Sequence, residues 1–129
     1  MNKKKYNLDD FLLKHEISTR WKDLDAFGHV NNAVFLSYIE DARILFFKRW
    51  NINYNERSLI VASVKIDYLM QVEHPSKLII GERVSRIGNT SFDIHSVVFN
   101  KETLEPVCES TIVSVAFNFI TQKPVSIYQ

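Results

Sequence analysis

Two carboxylates, one histidine and two amides lie close together in this chain, ahead of a long apolar stretch. They belong to the run Asp23-Leu24-Asp25-Ala26-Phe27-Gly28-His29-Val30-Asn31-Asn32. A carboxylate such as Asp25 can attack a carbonyl carbon or activate a water molecule. If a helix begins at Asn31 or Asn32, its free backbone N–H groups can stabilise a developing oxyanion. The run therefore predicts acyl transfer or hydrolysis at an activated carbonyl.

The same residue types also have a purely structural interpretation. Asp, Asn and Gly ahead of a helix are found in any capped loop, because they satisfy the turn and the first helical N–H groups. From spacing alone a capped loop is the favoured interpretation. The chemical hypothesis needs support from the elements that position these side chains.

Residues 31–50 are predicted to form one long helix. Apolar side chains recur at the i, i+3, i+4 and i+7 spacing of one buried face, namely at Phe35, Tyr38, Ile39, Ala42, Leu45 and Phe46. Other apolar side chains lie off this stripe, at Leu36, Ile44 and Phe47. Because so much of its circumference is apolar, the helix needs cover on two sides. We expect a sheet on one side and a second subunit on another.

The remaining segments predict strands. Residues 15–21 alternate with period two, placing Ile17, Thr19 and Trp21 on one face. Four more strands are predicted, at residues 59–69, 78–87, 91–100 and 107–119. One long helix with a largely antiparallel sheet of about five strands is an α+β architecture. The 129 residues fit a single domain, 1–129, in which residues 1–12 are expected to be a flexible tail.

Composition excludes several classes of function. Lys and Arg number 16 and Asp and Glu 15, so the net charge of +1 gives no reason to expect nucleic acid or an anionic membrane as partner. No apolar run approaches the ~20 residues that span a bilayer. The single cysteine, Cys108, cannot form an internal disulfide, so we expect a reducing, cytoplasmic compartment. The histidines show no metal-ligand spacing, and no metal is expected.

The chain resembles a known family over residues 15–119. The Asp-x-Asp-x-x-Gly-His-Val-Asn-Asn motif at residues 23–32, Asp67-Tyr68-Leu69 and residues 86–92 are similar to the 4-hydroxybenzoyl-CoA thioesterase-like branch of the hot-dog superfamily. The His-Val-Asn-Asn part also resembles long-chain acyl-CoA and acyl-ACP thioesterases. The resemblance implies a hot-dog fold, hydrolysis of an acyl-CoA thioester, and assembly as a homodimer or homotetramer.

The resemblance also implies roles for individual residues. Asp25 matches the catalytic aspartate, which acts as nucleophile on the thioester or as base for water. His29 matches a histidine important in the acyl-ACP members, and Asn32 matches a residue that lines the same pocket. The residues assigned to substrate binding are Gly28, Val30, Asn31, Phe35, Thr90 and Ser91. Backbone N–H groups at the helix start would polarise the carbonyl, and no cofactor is implied beyond CoA as part of the substrate.

The chain departs from the family pattern at two places. The acyl-ACP thioesterases have asparagine where this chain has Phe27, so their fuller catalytic set is not present here. The 4-hydroxybenzoyl-CoA enzyme has an Arg-Arg-Lys run for the CoA phosphates where this chain has Gly88-Asn89-Thr90. We therefore expect Arg83, Arg86 or Lys101 to contact the phosphates.

Three other functions are the alternatives to acyl-CoA hydrolysis. An acyl-ACP thioesterase would use the same residues on another carrier. A non-catalytic acyl-CoA-binding or acyl-ACP-binding protein would keep the pocket without turnover, although the intact Asp25 argues against it. A hot-dog dehydratase or hydratase relies on a different arrangement of histidine and acid, which this chain lacks.

Overall fold

The structure, a computed structural model, describes residues 6–48 and 58–127. The helix and strands are, in chain order, β1 (Leu13–Ser18), α1 (Asn32–Phe47), β2 (Ser58–Tyr68), β3 (Lys77–Ile87), β4 (Ser91–Asn100), β5 (Pro106–Asn118) and β6 (Lys123–Pro124). The predicted order of one strand, one helix and four strands is confirmed, and the short β6 is an addition. The helix end predicted at residue 50 and the side chain of Phe46 lie outside the described residues.

The strands form one antiparallel sheet in the order β1-β3-β4-β5-β2, with β6 beside β5. α1 packs over β3 and β1, and β1 and β2 form the two edges of the sheet. This arrangement confirms the α+β hot-dog architecture, in which an antiparallel sheet of about five strands curls around one helix. Within the described residues, no helix is long and apolar enough to cross a membrane.

The core lies between α1 and the inner face of the sheet. The predicted helix stripe is buried there at Phe35, Tyr38, Ile39 and Ala42. The central strands contribute alternate residues to the same cluster, including Leu78, Ile80, Val98, Cys108 and Ile112. Each large apolar side chain removed from water stabilises the fold by roughly 1.5–3 kcal/mol, so this layer fixes the position of α1 on the sheet.

The N-terminal segment packs on the outer face of the sheet. Leu8–Asp10 form a 3₁₀ turn, and the next residue, Phe11, is buried against Phe99. A Cβ atom at Gly81 would lie 2.6 Å from the Phe11 ring, so only glycine permits this close approach. Residues 6–12, the described part of the tail that was expected to be flexible, therefore pack on the sheet. They differ from the expected flexible tail because one buried aromatic side chain is enough to hold the segment.

β1 ends earlier than predicted. Its pairing with β3 stops at Ser18, and Trp21 is 80% exposed where the alternation predicted an inward side chain. The chain enters a 3₁₀ turn at Trp21–Asp23 because the Asp23 carboxylate accepts hydrogen bonds from the backbone N–H of Arg20 (3.0 Å) and from its guanidinium group (2.9 Å). The period-two pattern thus continues past the true end of the strand.

One carboxyl group is buried inside the core. Glu82 is 0% exposed and lies in a polar row with Ser96 and Ser110, its register partners across β4 and β5. The Ser96 hydroxyl donates to Glu82 Oε2 (2.5 Å), whereas Oε1 has no partner among the described residues. Burial raises the pKa of Glu82 to about 7, against smaller lowering contributions from the Ser96 hydrogen bond and the Arg43 charge.

Glu82→Gln is expected to remove a pH-dependent loss of stability. Because the folded-state pKa is about 7 and the ordinary value is 4.5, the contribution of Glu82 to wild-type stability is most favourable below about pH 4.5 and becomes less favourable until about pH 7. This shift in the pKa of Glu82 corresponds to a change of roughly 3 kcal/mol in the free energy of unfolding. Urea unfolding across this range should show a smaller fall for Glu82→Gln, with the exposed Glu16→Gln as control. Parallel curves for wild type and Glu82→Gln would contradict the expectation.

Candidate active site

The loop that carries Asp25 is a tight hairpin. Leu24 and Val30 form an antiparallel bridge, and the Asp25 N–H donates to the His29 carbonyl (2.8 Å). The Gly28 N–H donates back to the Asp25 carbonyl (3.2 Å). Gly28 has a φ of +83°, a left-handed conformation that favours glycine in this type of turn. The glycine therefore sets the conformation of the loop.

The Asp25 carboxylate is fixed by one oxygen and open at the other. Its Oδ1 atom accepts hydrogen bonds from the backbone N–H groups of Phe27 (2.8 Å) and His29 (3.2 Å). Within the described residues, Oδ2 makes no hydrogen bond. The carboxylate is thus held in one orientation while Oδ2 is free to attack a carbonyl carbon or to accept a proton from water.

The first turn of α1 leaves one backbone donor unused. Asn31 caps the helix, since its side-chain Oδ1 accepts from Ala33 N–H and its carbonyl accepts from Val34 N–H, both at 2.9 Å. The Asn31 N–H itself donates to the Asp23 carbonyl (2.9 Å). Among the described hydrogen bonds, the Asn32 N–H has no acceptor. Two N–H groups were predicted to polarise a carbonyl. The Asn31 N–H is already engaged in a hydrogen bond, and the Asn32 N–H remains available for this role.

Asp23 anchors the loop to the core. It is buried, and besides Arg20 it accepts a hydrogen bond from the buried Tyr38 hydroxyl (2.5 Å). Burial alone would raise the pKa of Asp23, but the hydrogen bonds from Arg20 and Tyr38 outweigh it and hold the pKa below its usual range. Burial and the same hydrogen bond raise the pKa of Tyr38. Asp23 is thus a charged structural residue that fixes the conformation of the loop.

A cleft of about 450 Å³ opens between this loop, the start of α1 and the end of β2. It is lined by Asp25, His29, Val30, Asn31, Asn32, Phe35, Tyr68, Leu69, Met70 and Gln71. Six of the predicted site residues therefore share one cleft, including all three that were predicted to be catalytic. Gly28 does not line it but shapes the adjoining loop.

The wall formed by residues 68–71 was not assigned to the site from the sequence. The N–H groups of Leu69 and Met70 both donate to the Val107 carbonyl (3.0 and 3.2 Å), so the chain leaves the sheet through a bulge and turns towards the loop. Tyr68 belonged to the motif Asp67-Tyr68-Leu69 that supported the family resemblance. That motif was the only signal in the sequence for this wall.

Thr90 and Ser91 lie at the other end of the sheet. Ser91 pairs with Val115 of β5, whereas Tyr68 at the cleft pairs with Cys108 of the same strand. These partners are seven residues apart on β5, which corresponds to about 24 Å along a strand. Within one chain the structure therefore does not bring Thr90 and Ser91 together with the cleft.

The basic side chains expected to contact the CoA phosphates are engaged elsewhere. Arg83 donates to His95 Nδ1 (3.1 Å), and Arg86 forms an ion pair with Asp93 (2.8 Å). Lys101 pairs with Glu16 (2.9 Å). In the part of the chain that the structure describes, no group of three or more His, Cys, Asp or Glu side chains could hold a metal ion.

Comparison with known proteins supports the assignment of the family. The model of the Thioesterase-like superfamily matches residues 19–129. The Bacillus subtilis protein YsmA is 34% identical over 118 residues, which cover 90% of this chain and 80% of YsmA. The chloroplastic acyl-acyl carrier protein thioesterase ATL2 of Arabidopsis thaliana is 30% identical over 103 residues, covering 74% of this chain and 55% of ATL2.

Solved structures share the fold over nearly the whole chain. The PA5185 protein of Pseudomonas aeruginosa PAO1 has a TM-score of 0.83 at 30% identity, covering 92% of this chain and 85% of its own. A thioesterase of Thermus thermophilus, solved with coenzyme A and Zn, has a TM-score of 0.82 at 29% identity. The match covers 92% of this chain and 93% of the Thermus thermophilus chain. The chain therefore belongs to the Thioesterase-like superfamily and is a hot-dog-fold thioester hydrolase.

Proposed function

We propose that this protein hydrolyses an acyl-CoA thioester to a free carboxylic acid and CoA, with Asp25 as the catalytic carboxylate. One observation carries the proposal. Asp25, whose Oδ2 atom makes no hydrogen bond among the described residues, and Asn32, whose N–H is unused, line the same cleft. A thioester placed there has a nucleophile or base on one side and an oxyanion donor on another.

The proposed reaction begins at the thioester carbonyl carbon. Asp25 Oδ2 either attacks this carbon or removes a proton from a water molecule that attacks it. The carbonyl oxygen gains negative charge, which Asn32 N–H and the positive end of the α1 dipole stabilise. The carbon–sulfur bond then breaks and the CoA thiolate takes up a proton, for which His29 in the same cleft is the proposed donor. In the base route, transfer of the proton from Asp25 to His29 restores both groups. In the nucleophilic route, water hydrolyses the acyl-aspartate anhydride, which releases the carboxylic acid and restores Asp25.

The comparison with the Thermus thermophilus thioesterase, which was solved with coenzyme A, supports CoA as the proposed carrier. The Arabidopsis relative is named an acyl-ACP thioesterase, so a protein-bound pantetheine arm is the second candidate carrier. A reducing, cytoplasmic compartment suits the single, fully buried Cys108.

Thiol release from short, long and aromatic acyl-CoAs, together with one acyl-ACP, tests the proposal. Turnover of at least one acyl-CoA is expected. Turnover of the acyl-ACP alone would favour the second carrier. Binding of acyl-CoA without any turnover would favour the non-catalytic alternative, and an absence of both binding and turnover would rule out the proposed function.

We also propose that two copies associate through β2. This strand is an edge of the sheet, and its Val61 and Val64 are 46% and 43% exposed. Ile44 of α1 is 49% exposed. A free strand edge flanked by apolar side chains is suited to pairing with a second copy, and this would supply the second cover that the apolar helix was predicted to need.

Val64→Lys is expected to raise the dissociation constant of this dimer by at least about tenfold, because an unpaired charge would be buried at the contact. Light scattering at several protein concentrations measures the effect. Leu12→Lys, which places the same charge on an exposed residue just before β1 at the opposite edge, is the matched control. A wild-type monomer, or equal dissociation constants for the two variants, would contradict the proposal.

A further inference from the structure

Tyr68 stands where the sheet meets the start of α1. It is the last residue of β2, and its register partner Cys108 is fully buried, so its backbone is anchored in the core. Its ring lines the cleft and packs against Phe35, with ring centroids 5.9 Å apart. The side chain is 37% exposed. Tyr68 is therefore a rigidly held residue whose ring faces the space that a substrate would occupy.

The hydroxyl of Tyr68 holds the first residue of the helix. It donates a hydrogen bond of 2.8 Å to the carbonyl oxygen of Asn32. Partial burial, with a smaller contribution from Cys108, raises the pKa of Tyr68, so the hydroxyl remains a proton donor at neutral pH. The phenol thus joins the end of β2 to the residue that carries the unused N–H group.

The helix start is anchored from the opposite side by Asp23. The Asp23 carbonyl accepts from Asn31 N–H (2.9 Å), and its carboxylate is fixed by Arg20 and Tyr38. The peptide plane that carries Asn32 N–H lies between these two anchors. The φ and ψ of Asn31 separate it from the plane that Asp23 holds, and the φ and ψ of Asn32 separate it from the plane that Tyr68 holds. The two anchors together therefore restrain the direction in which Asn32 N–H points.

We propose that Tyr68 is a positioning residue for the reaction, which fixes Asn32 N–H in the direction required to stabilise the oxyanion. The proposal rests on the proposed function, because it assigns to Tyr68 a part in the same thioester hydrolysis. Tyr68 itself takes and gives no proton. It acts through the backbone of Asn32, since a donor that is fixed before the reaction needs no rearrangement as charge develops.

Tyr68→Phe removes the hydrogen bond and keeps the ring contact with Phe35. The expected result is a fall in kcat of about tenfold with KM changed less than about twofold, because the interaction lost is one made mainly in the transition state. The melting temperature should stay close to that of the wild type. Tyr6→Phe removes a hydroxyl from a ring that packs on His95 at the outer face, and it is the matched control.

The test combines steady-state thiol release with the backbone amide spectrum of the free protein. In Tyr68→Phe, the Asn32 amide resonance should shift and kcat should fall, while Tyr6→Phe should change neither. If the wild type is active, three results would each overturn the positioning role and leave the proposed function intact. They are an unaltered kcat in Tyr68→Phe, an effect of Tyr68→Phe on KM alone, and an Asn32 amide resonance that does not shift. A wild type that releases no thiol from any acyl-CoA would overturn the proposed function, and the role of Tyr68 with it.

Discussion

Replacing Asp25 by asparagine is expected to lower kcat for thioester hydrolysis by about a thousandfold, within the range that removal of a catalytic acid or base produces. The asparagine side chain can still accept hydrogen bonds from Phe27 and His29 N–H through its amide oxygen. The loop therefore keeps its conformation. What is lost is the negative charge on the open oxygen, without which the side chain is neither a nucleophile nor a base.

Thiol release under saturating acyl-CoA measures this effect, and the melting temperature checks that the fold is retained. Asp41→Asn, an exposed carboxylate on α1, is the matched control and should keep full activity. Label found in Asp25 after a single turnover in ¹⁸O-labelled water identifies the nucleophilic route with attack of water on the aspartyl carbon of the anhydride, because the base route places the label only in the product acid. An Asp25→Asn variant with wild-type kcat would remove Asp25 from the mechanism.

Asp23→Ala is expected to destabilise the protein by about 3 to 4 kcal/mol, as is typical when one partner of a buried, charged hydrogen-bond network is removed. The change leaves the buried Tyr38 hydroxyl without its acceptor. It also removes the hydrogen bonds between Arg20 and Asp23 that hold the turn before the loop. Because the loop and helix start are anchored at this point, a substantial fall in kcat should accompany the loss of stability.

Urea unfolding at neutral pH measures the loss. The double variant Asp23→Ala/Tyr38→Phe should recover part of it, because the hydroxyl left unpaired in the single variant is removed. Since the folded-state pKa of Asp23 lies below the ordinary value of 3.8, its contribution is present above that value and is lost as the pH falls below it. A loss under about 1 kcal/mol in Asp23→Ala would show that this network does not hold the loop.

The sequence predicted those features of the fold that depend on local periodicity. The helix stripe from Phe35 to Ala42 follows directly from burial of one face, and the structure agrees with it. β4 is present as predicted, but it is buried on both faces from Ile94 to Phe99, because the N-terminal segment covers its outer face. Features that depend on a tertiary partner were missed. Trp21 fits a strand pattern, but the Asp23 carboxylate closes a turn there, and Phe11 is buried only because a glycine in β3 leaves room for its ring.

The candidate site shows the same contrast between features that follow from local sequence and features that depend on tertiary structure. The residues from Asp25 to Phe35 are near one another in sequence, so a motif could group them correctly into one cleft. Tyr68 joins them only through the pairing of β2 with β5, and Ser91 is separated from them by the register of β4 on that strand. Strand order and register are set by the whole sheet, and one motif does not determine them.

The central claim, that Asp25 drives thioester hydrolysis at the start of α1, is tested most directly by one paired measurement. Thiol release is followed for the wild type and for Asp25→Asn on the same panel of acyl-CoAs, at matched concentrations of folded protein. We predict turnover of at least one acyl-CoA by the wild type and about a thousandfold less by the variant. Equal rates for the two proteins, or no release by the wild type from any acyl-CoA, would contradict the claim.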